Sequence, residues 1–505
     1  MKILRPRFLI VVFWSVMTGW LIRYEAFPQW FTHMSGGYRA LFEGRPFVLD
    51  SWMQITFNDV EIGYTHTWID SDIESQIESY TIRNKTFLNL NLLGESQPIS
   101  ILVGITLDER YLMQTFSMTL HSRSYRTNIE GRRIGDGRFE VSMATPVGVR
   151  TTTIAVPDDV MIYSPVTEMA VRRLKPGNSL RMRVLDPISM TVSEITAEAL
   201  RRETLQHEAR HVETTVLKIS YMGLETLSWI DAEGRVLRHE TPFGWTMTAR
   251  SSDKIVTAGS SPLEAGDMLS AMAVPCRGDL VNPRSSRSLT IRITGIPADP
   301  EQISSHRQVV EQGDGFLQMT VFAQPMPTRI AALEDPVPRA YRPYLAASPS
   351  IQSDHPDMRR RALALTEGSS DSFEAAKAIS SWIQNHVRMM PTVSLPSALD
   401  VLEQMVGDCN EITYLFVGLA RSVGLPARVH VGLVYAVVDG HGAFYYHAWP
   451  SVYVGEWVEM DPTWGQTTVD ATHISLVTGE LGDQIKLLGF MGRARVEILS
   501  EEGAQ

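Results

Sequence analysis

Three short segments carry side chains that together could do chemistry: Gly407-Asp408-Cys409-Asn410-Glu411, His447-Ala448-Trp449 and Asp461-Pro462-Thr463. A thiol, an imidazole and a carboxylate in this order read as a nucleophile, its base and the group that orients the base. In such a set Cys409 attacks an acyl carbon, and His447 takes the thiol proton and later delivers one to the leaving amine. His447 also activates the water or amine that resolves the thioester, while Asp461 fixes the imidazole tautomer and stays ionised. A lone cysteine on a helix is usually only a small buried hydrophobe, so the weight of the reading falls on the ordered company that Cys409 keeps. The rival is a non-catalytic scaffold or binding protein, which does not require a thiol, a base and a carboxylate together. His441, between glycines, reads as a loop residue.

The elements around these residues are legible. After Cys409, apolar residues at Ile412, Leu415, Phe416, Leu419 and Val423 have helical spacing and stop at Gly424, with Pro426 beyond. Asp408 can cap this helix and Glu411 can reach back to complete a capping box, which places Cys409 in the first turn. There the helix dipole and free backbone N–H groups favour a thiolate and could hold an oxyanion. Pro426 to Tyr435, Phe444 to Val454 and Trp457 to Met460 read as three strands. A three-residue turn at Val454-Gly455-Glu456 pairs Trp449 with Asp461 and leaves His447 and Asp461 as diagonal neighbours on one face, roughly 7–8 Å apart at their β-carbons.

With these residues in view, the chain resembles the transglutaminase-like core of bacterial proteins, within the papain-like thiol enzymes. Gly-Asp-Cys-Asn-Glu, Gly424-Leu425-Pro426-Ala427-Arg428, His447-Ala448-Trp449 and Trp457-x-x-x-Asp461-Pro462-Thr463 carry the resemblance, over about residues 345–480. It implies an α+β papain-like core, a triad at Cys409, His447 and Asp461, and no metal or organic cofactor. The β-rich region upstream resembles that of membrane-anchored bacterial relatives. Two positions depart from the pattern: Ile412, where many relatives carry His, and Met389-Met390, where they carry an aromatic. The second oxyanion donor is open among Trp382, Gln384 and Gln404. Trp449, Trp457 and Trp464 could line a groove, although packing explains each more simply.

A second chemistry is written at His207-Glu208-Ala209-Arg210-His211, which satisfies the zinc-peptidase pattern if it is helical. Ser193 to Arg210 could form such a helix. Arg210 puts a cation beside the would-be metal, and third ligands such as Glu225 or Glu233 fall in an expected strand and turn, so a solvated charged stretch is the simpler reading. The expectation is therefore no bound metal.

The rest of the chain bounds the setting. Its 505 residues call for two or three domains, and a net charge of −11 without a long basic run argues against nucleic acid as a partner. Two cysteines, Cys276 and Cys409, exclude a disulfide framework. Cys276 reads as a structural or incidental thiol. Lys2, Arg5 and Arg7 precede an apolar run from Phe8 to Ile22, with no small-residue cleavage site after it, which reads as an uncleaved inner-membrane anchor over 1–36 with the bulk of the chain periplasmic or otherwise extracytoplasmic. A β-rich domain over 45–255 follows from period-two stretches such as Trp52–Phe57, Val60–Trp68 and Phe87–Leu92. A second β-rich region (256–324), a proline-rich linker (325–345), the catalytic domain (346–480) and a tail (481–505) complete the expected order. The expected class is α+β, a papain-like transglutaminase core preceded by antiparallel β-rich domains and a transmembrane helix. The expected partners are a protein or peptide substrate and the membrane.

Overall fold

The computed structural model describes residues 36–503 except 43–48, 73–78, 93–94, 124, 147, 209, 243, 258–272, 297, 392–394, 396, 439, 485–486 and 488–491. Its largest element is a 15-stranded sheet. Eight antiparallel strands run as a meander from Leu49–Phe57 to Gly148–Ala155. After the short helix Pro165–Met169, a second meander ends at Trp245–Ala249, which returns to pair with the first strand from Met53↔Ala249 to Phe57↔Trp245. The alternation that makes these segments strands also gives the sheet an inner face. In Met113–His121, Phe116, Met118 and Leu120 point in while Thr115, Ser117 and Thr119 point out. The inward residues of both meanders, Ile82, Phe116 and Phe139 from one and Val184, Ile195 and Leu217 from the other, share one apolar cluster. The sheet therefore curls over its own core.

A second core unites everything from about residue 274 onward. A five-stranded sheet packs Leu289, Ile291, Met319 and Val321 into the same cluster as Ile379, Leu415, Phe416 and Phe444 of the Cys409-bearing unit. Its second strand in order is Arg495–Gly503, which pairs with Ser286–Thr294. The segment expected as a tail thus returns to lie between two strands about 200 residues earlier in the chain. The unit itself stacks helices Pro356–Thr366, Ser372–His386, Ala398–Gln404 and Cys409–Ser422 against a four-stranded sheet of Ala427–Val438, His441–Tyr453, Trp457–Glu459 and Ile474–Thr478. The proline-rich stretch docks on this sheet through Tyr341 and Tyr344, whose rings meet Trp457 edge-on at 5.5 and 5.3 Å.

The large sheet sits against this unit near the helix that begins at Cys409. Tyr125 donates to the Val406 carbonyl at 3.2 Å, Arg150 donates to the Ser348 carbonyl at 2.9 Å, and Leu395 packs on two apolar clusters of the sheet.

Two expectations are corrected. The class is mostly β, 50% strand against 19% helix, rather than α+β with a transmembrane helix. The expected helix over 193–210 is a strand whose inward residues are Ile195, Ala197 and Ala199, a period of two rather than 3.6. Among the described residues no helix is long and apolar enough to cross a membrane. The run Phe8–Ile22 and all but the last residue of the expected anchor over 1–36 lie outside the described residues, and the single-pass inner-membrane location drawn from it is set aside.

Candidate active site

Local sequence fixes where the thiol stands. Asp408 caps the Cys409–Ser422 helix by accepting from the Asn410 N–H at 2.8 Å, and Glu411 accepts from the Asp408 N–H at 3.1 Å, so both halves of the capping box form. The helix packs through Leu415 and Leu419 into the core behind the sheet. Cys409 is half-buried at its first turn. The helix packs on the strand that carries His447, and the backbone of Ala448, the next residue on that strand, favours the charged form of the thiol.

The strand register then places the base. Tyr453↔Trp457 and Ser451↔Glu459 are partners across the Val454-Gly455-Glu456 turn, and the same register continued puts Trp449 opposite Asp461. His447 Nε2 lies 2.9 Å from Asp461 Oδ2, with both side chains buried. Asp461 Oδ1 accepts from the Thr463 N–H at 2.8 Å, which fixes the carboxylate plane. Trp464 stacks on the imidazole, rings 4.7 Å apart and 10° from parallel, and the Arg284 guanidinium lies 4.2 Å over the Trp464 ring. Of the three tryptophans singled out from sequence, Trp464 lies nearest the imidazole, with Trp449 stacked farther off at 6.0 Å. Trp449 is fully buried and donates to Glu459 at 2.7 Å, and Trp457 carries the Arg428 guanidinium at 4.2 Å.

Three residues that the sequence reading passed over complete the site. His473 Nε2 lies 3.2 Å from Asp461 Oδ2, the oxygen that His447 uses, and its Nδ1 lies 3.2 Å from Asp470 Oδ1. Asp470 in turn pairs with Arg284 at 2.9 Å and accepts from Gln466 Nε2 at 2.8 Å and the Thr472 hydroxyl at 2.6 Å. Gly432 makes this possible. It is the register partner of His447, and a side chain on it would strike the Ile474 carbonyl at 1.9 Å, so only glycine lets the chain at His473-Ile474 cross that face. The signal available in sequence was the pair Asp470-x-x-His473, nine residues after Asp461.

Electrostatics follows from burial and partners. Burial alone would push the Asp461 carboxyl up, but His447 and His473 hold it well below the usual carboxylate range. Burial likewise opposes charge on Asp470, and His473, Arg284 and Thr472 overcome it. Burial works against a charged His473, yet the two carboxylates raise its pKa above the ordinary histidine value. The thiol behaves otherwise than the helix start alone suggests: burial first, then Asp408, Glu411 and Asp461, push Cys409 well up, and the Ala448 backbone only partly offsets them. Burial and the neighbouring carboxylates thus oppose the pull of the helix start toward a thiolate, and a base that takes the thiol proton matters the more. Behind the site lies a buried ion pair, Arg307 to Glu459 at 2.5 Å, which with His430 and Trp449 brings the Glu459 carboxyl down to about 2 against the effect of burial.

Among the described residues, His447, Asp461 and His473 form a cluster of ligand-type atoms lying within 4.8 Å of one another. Each histidine nitrogen in it faces a carboxylate oxygen at hydrogen-bond distance, so it is a hydrogen-bonded set. The other candidate metal pattern is dispersed. His207 and Arg210 are partners across a hairpin and His211 pairs with Gln206, so His207 and His211 point to opposite faces, and Glu208, at φ 52°, pairs with Lys254 at 2.6 Å. The turn between the two histidines, where the zinc-peptidase pattern needs a helix, keeps them from meeting on one face and removes the zinc reading. Cys276 is a free thiol, as is Cys409; burial and Asp279 push its pKa up to about 11. Of the upstream oxyanion candidates, Gln384 comes to the site: its amide fills the space over Gly465, beside Trp464. Trp382 instead stacks on His386 at 5.2 Å.

Residues 359–462 match the model of the transglutaminase-like superfamily core. An uncharacterized protein of Mycobacterium leprae is 25% identical over 198 residues, 38% of this chain and 60% of that protein, so the chain spans well under two thirds of this relative's length. Among solved structures, a putative cysteine protease from Cytophaga hutchinsonii is 17% identical, with a TM-score of 0.29, covering 44% of this chain and 85% of its own. A beta-barrel-like protein of a domain of unknown function from Brucella abortus is 10% identical, with a TM-score of 0.30, covering 40% and 94%. The transglutaminase-like match ends one residue after Asp461 and so contains all three residues of the Cys409, His447 and Asp461 set.

Proposed function

We propose that the chain is a thiol enzyme that cleaves or transfers amide bonds of a protein or peptide substrate through a Cys409 thioester, with His447 as base and Asp461 as its orienter. The observation that carries this reading is the buried 2.9 Å contact of His447 Nε2 with Asp461, on the strand against which the helix that begins at Cys409 packs. Asp461 takes Nε2, which leaves Nδ1 as the imidazole nitrogen for the thiol proton.

As Cys409 Sγ bonds to the acyl carbon, its proton passes to His447 and negative charge moves onto the carbonyl oxygen. The free N–H groups of the helix start and the Gln384 amide are the candidates to receive that charge. Collapse breaks the C–N bond, and His447 gives its proton to the departing amine. A water then loses a proton to His447 and resolves the thioester; an amine in its place gives transfer. Hydrolysis is the favoured outcome. Asn410 Oδ1, Tyr446 Oη and Thr463 Oγ1, buried acceptors or donors without a protein partner and each next to or near a triad residue in sequence, are candidates to meet substrate amide groups.

A thiol-directed electrophile tests the reading. Cys409 is expected to be alkylated much faster than Cys276, with the advantage lost in H447A. Equal rates for the two cysteines in the wild type would return the chain to the non-catalytic scaffold reading.

A further inference from the structure

We propose that His473 is a positioning residue of the same site, a buried imidazolium that clamps Asp461 to Asp470 and shares Asp461 Oδ2 with His447. This rests on the triad reading above and concerns how that triad is held and charged.

The geometry admits one protonation state. Both ring nitrogens of His473 face carboxylate oxygens, each at 3.2 Å. A neutral imidazole has a single N–H, so one of these contacts would set a lone pair against a carboxylate oxygen, whereas the cation donates in both directions. The surroundings sustain the charge. His473 is fully buried, with its ring edge-on to Trp449 at 5.2 Å and to Trp464 at 5.8 Å. The charged and titratable groups that face it are Asp461 and Asp470, with His447 beyond the first. Beyond the second stand Arg284 on the carboxylate and Arg307, which donates to the Asp470 carbonyl at 3.1 Å. The raised pKa of His473 agrees with this arrangement.

The consequence lies at Cys409. Asp461 offers one oxygen to two imidazoles, and one of them is already positive, so less of its charge is available to stabilise a cation on His447. Transfer of the thiol proton to His447 is then coupled to formation of the S–C bond. The second role is mechanical. Asp461 is braced from the far side through His473, Asp470 and Arg284, the last contributed by the segment just ahead of the five-stranded sheet's Ser286–Thr294 strand.

The test is the pH profile of Cys409 carbamidomethylation in the full chain, for wild type, H473Q and H473K. Removing a positive charge makes the thiolate harder to form and the imidazolium easier, so H473Q is expected to move both limbs of the profile to higher pH by about one unit. H473K, which keeps the charge, is expected to return them. A merely structural role would lower the rate and the melting temperature at every pH and leave the limbs in place. Long-range 1H–15N spectra of the wild type at pH 8 supply a readout that needs no variant to fold. One histidine is expected with both nitrogens protonated, and finding every histidine neutral would overturn the proposal. If wild-type Cys409 shows no limb that depends on His447, both the triad and this role fall. If the limb is present and folded H473Q leaves it unmoved, only the role of His473 falls.

Discussion

The large sheet and the unit that carries Cys409 differ in where most of their ion pairs lie. On the sheet, pairs such as Arg201–Glu203 and Arg181–Glu194 lie on the outer face, half in water, and the buried His239–Glu168 contact at 3.0 Å is an exception to an otherwise largely apolar interior. In the other unit, Arg307–Glu459 and the Asp461–His473–Asp470 chain are buried. A buried charge costs several kcal/mol to desolvate unless it is paired and hydrogen-bonded, and here each of them is held by such partners. The same contrast separates the two motifs with chemical potential. His207-Glu208-Ala209-Arg210-His211 sits at a hairpin of the sheet with its histidines on opposite faces, while His447 and Asp461, 14 residues apart in the chain, meet as a buried pair on the strand against which the Cys409 helix packs.

The largest expected effect breaks the chemistry itself. H447A should lower the rate of amide cleavage or transfer by about three orders of magnitude or more, and D461N should come close to it by leaving the imidazole in the wrong tautomer. Steady-state rates with a matched melting curve separate these losses from unfolding.

Next come the charges. R307A leaves Glu459 buried without its cation and should destabilise the chain by about 3–5 kcal/mol, whereas R201A on the sheet should cost about 0–1 kcal/mol; denaturant titration of both variants checks the difference. A ratio near one would remove the contrast drawn above.

The pH dependence sharpens it. Glu459 is held at about 2, below its ordinary value of 4.5. A depressed carboxyl stabilises the fold above its unfolded pKa and loses that contribution as pH falls through the folded one. Stability should therefore fall between pH 4.5 and 2, and E459Q should flatten that part of the curve. The smallest effect is a null: H207A and H211A should leave activity and melting temperature unchanged, and the wild type should hold no stoichiometric zinc that H207A loses.

Legibility in the sequence followed the range of the interactions. The Cys409 helix was readable because its cap, its apolar stripe and its stop at Gly424 lie within sixteen residues of one another. The register that sets His447 near Asp461 was readable because one three-residue turn fixes it. His473 and Asp470 were not, since they depend on the chain crossing a sheet face at Gly432, a close approach between positions more than 40 residues apart. The closure of the large sheet between Leu49–Phe57 and Trp245–Ala249, and the return of Arg495–Gly503 to Ser286–Thr294, are longer still in range. The strand over Thr191–His207 was misread because its charged outer residues, Glu194, Glu198, Arg201 and Arg202, resemble the solvated side of a helix, while its small inward alanines make a weak period-two signal. The helix start that favours a thiolate is visible in sequence, whereas the burial and carboxylates that oppose it are not.

Whether Cys409 forms a covalent acyl intermediate is the point on which the account turns, and intact-mass analysis after brief exposure to a nitrophenyl ester of a short peptide tests it most directly. The expected result is one acyl group per chain, located on Cys409, absent in C409A and slow to form in H447A. Acylation that persists in C409A, or that falls equally on Cys276, would contradict it.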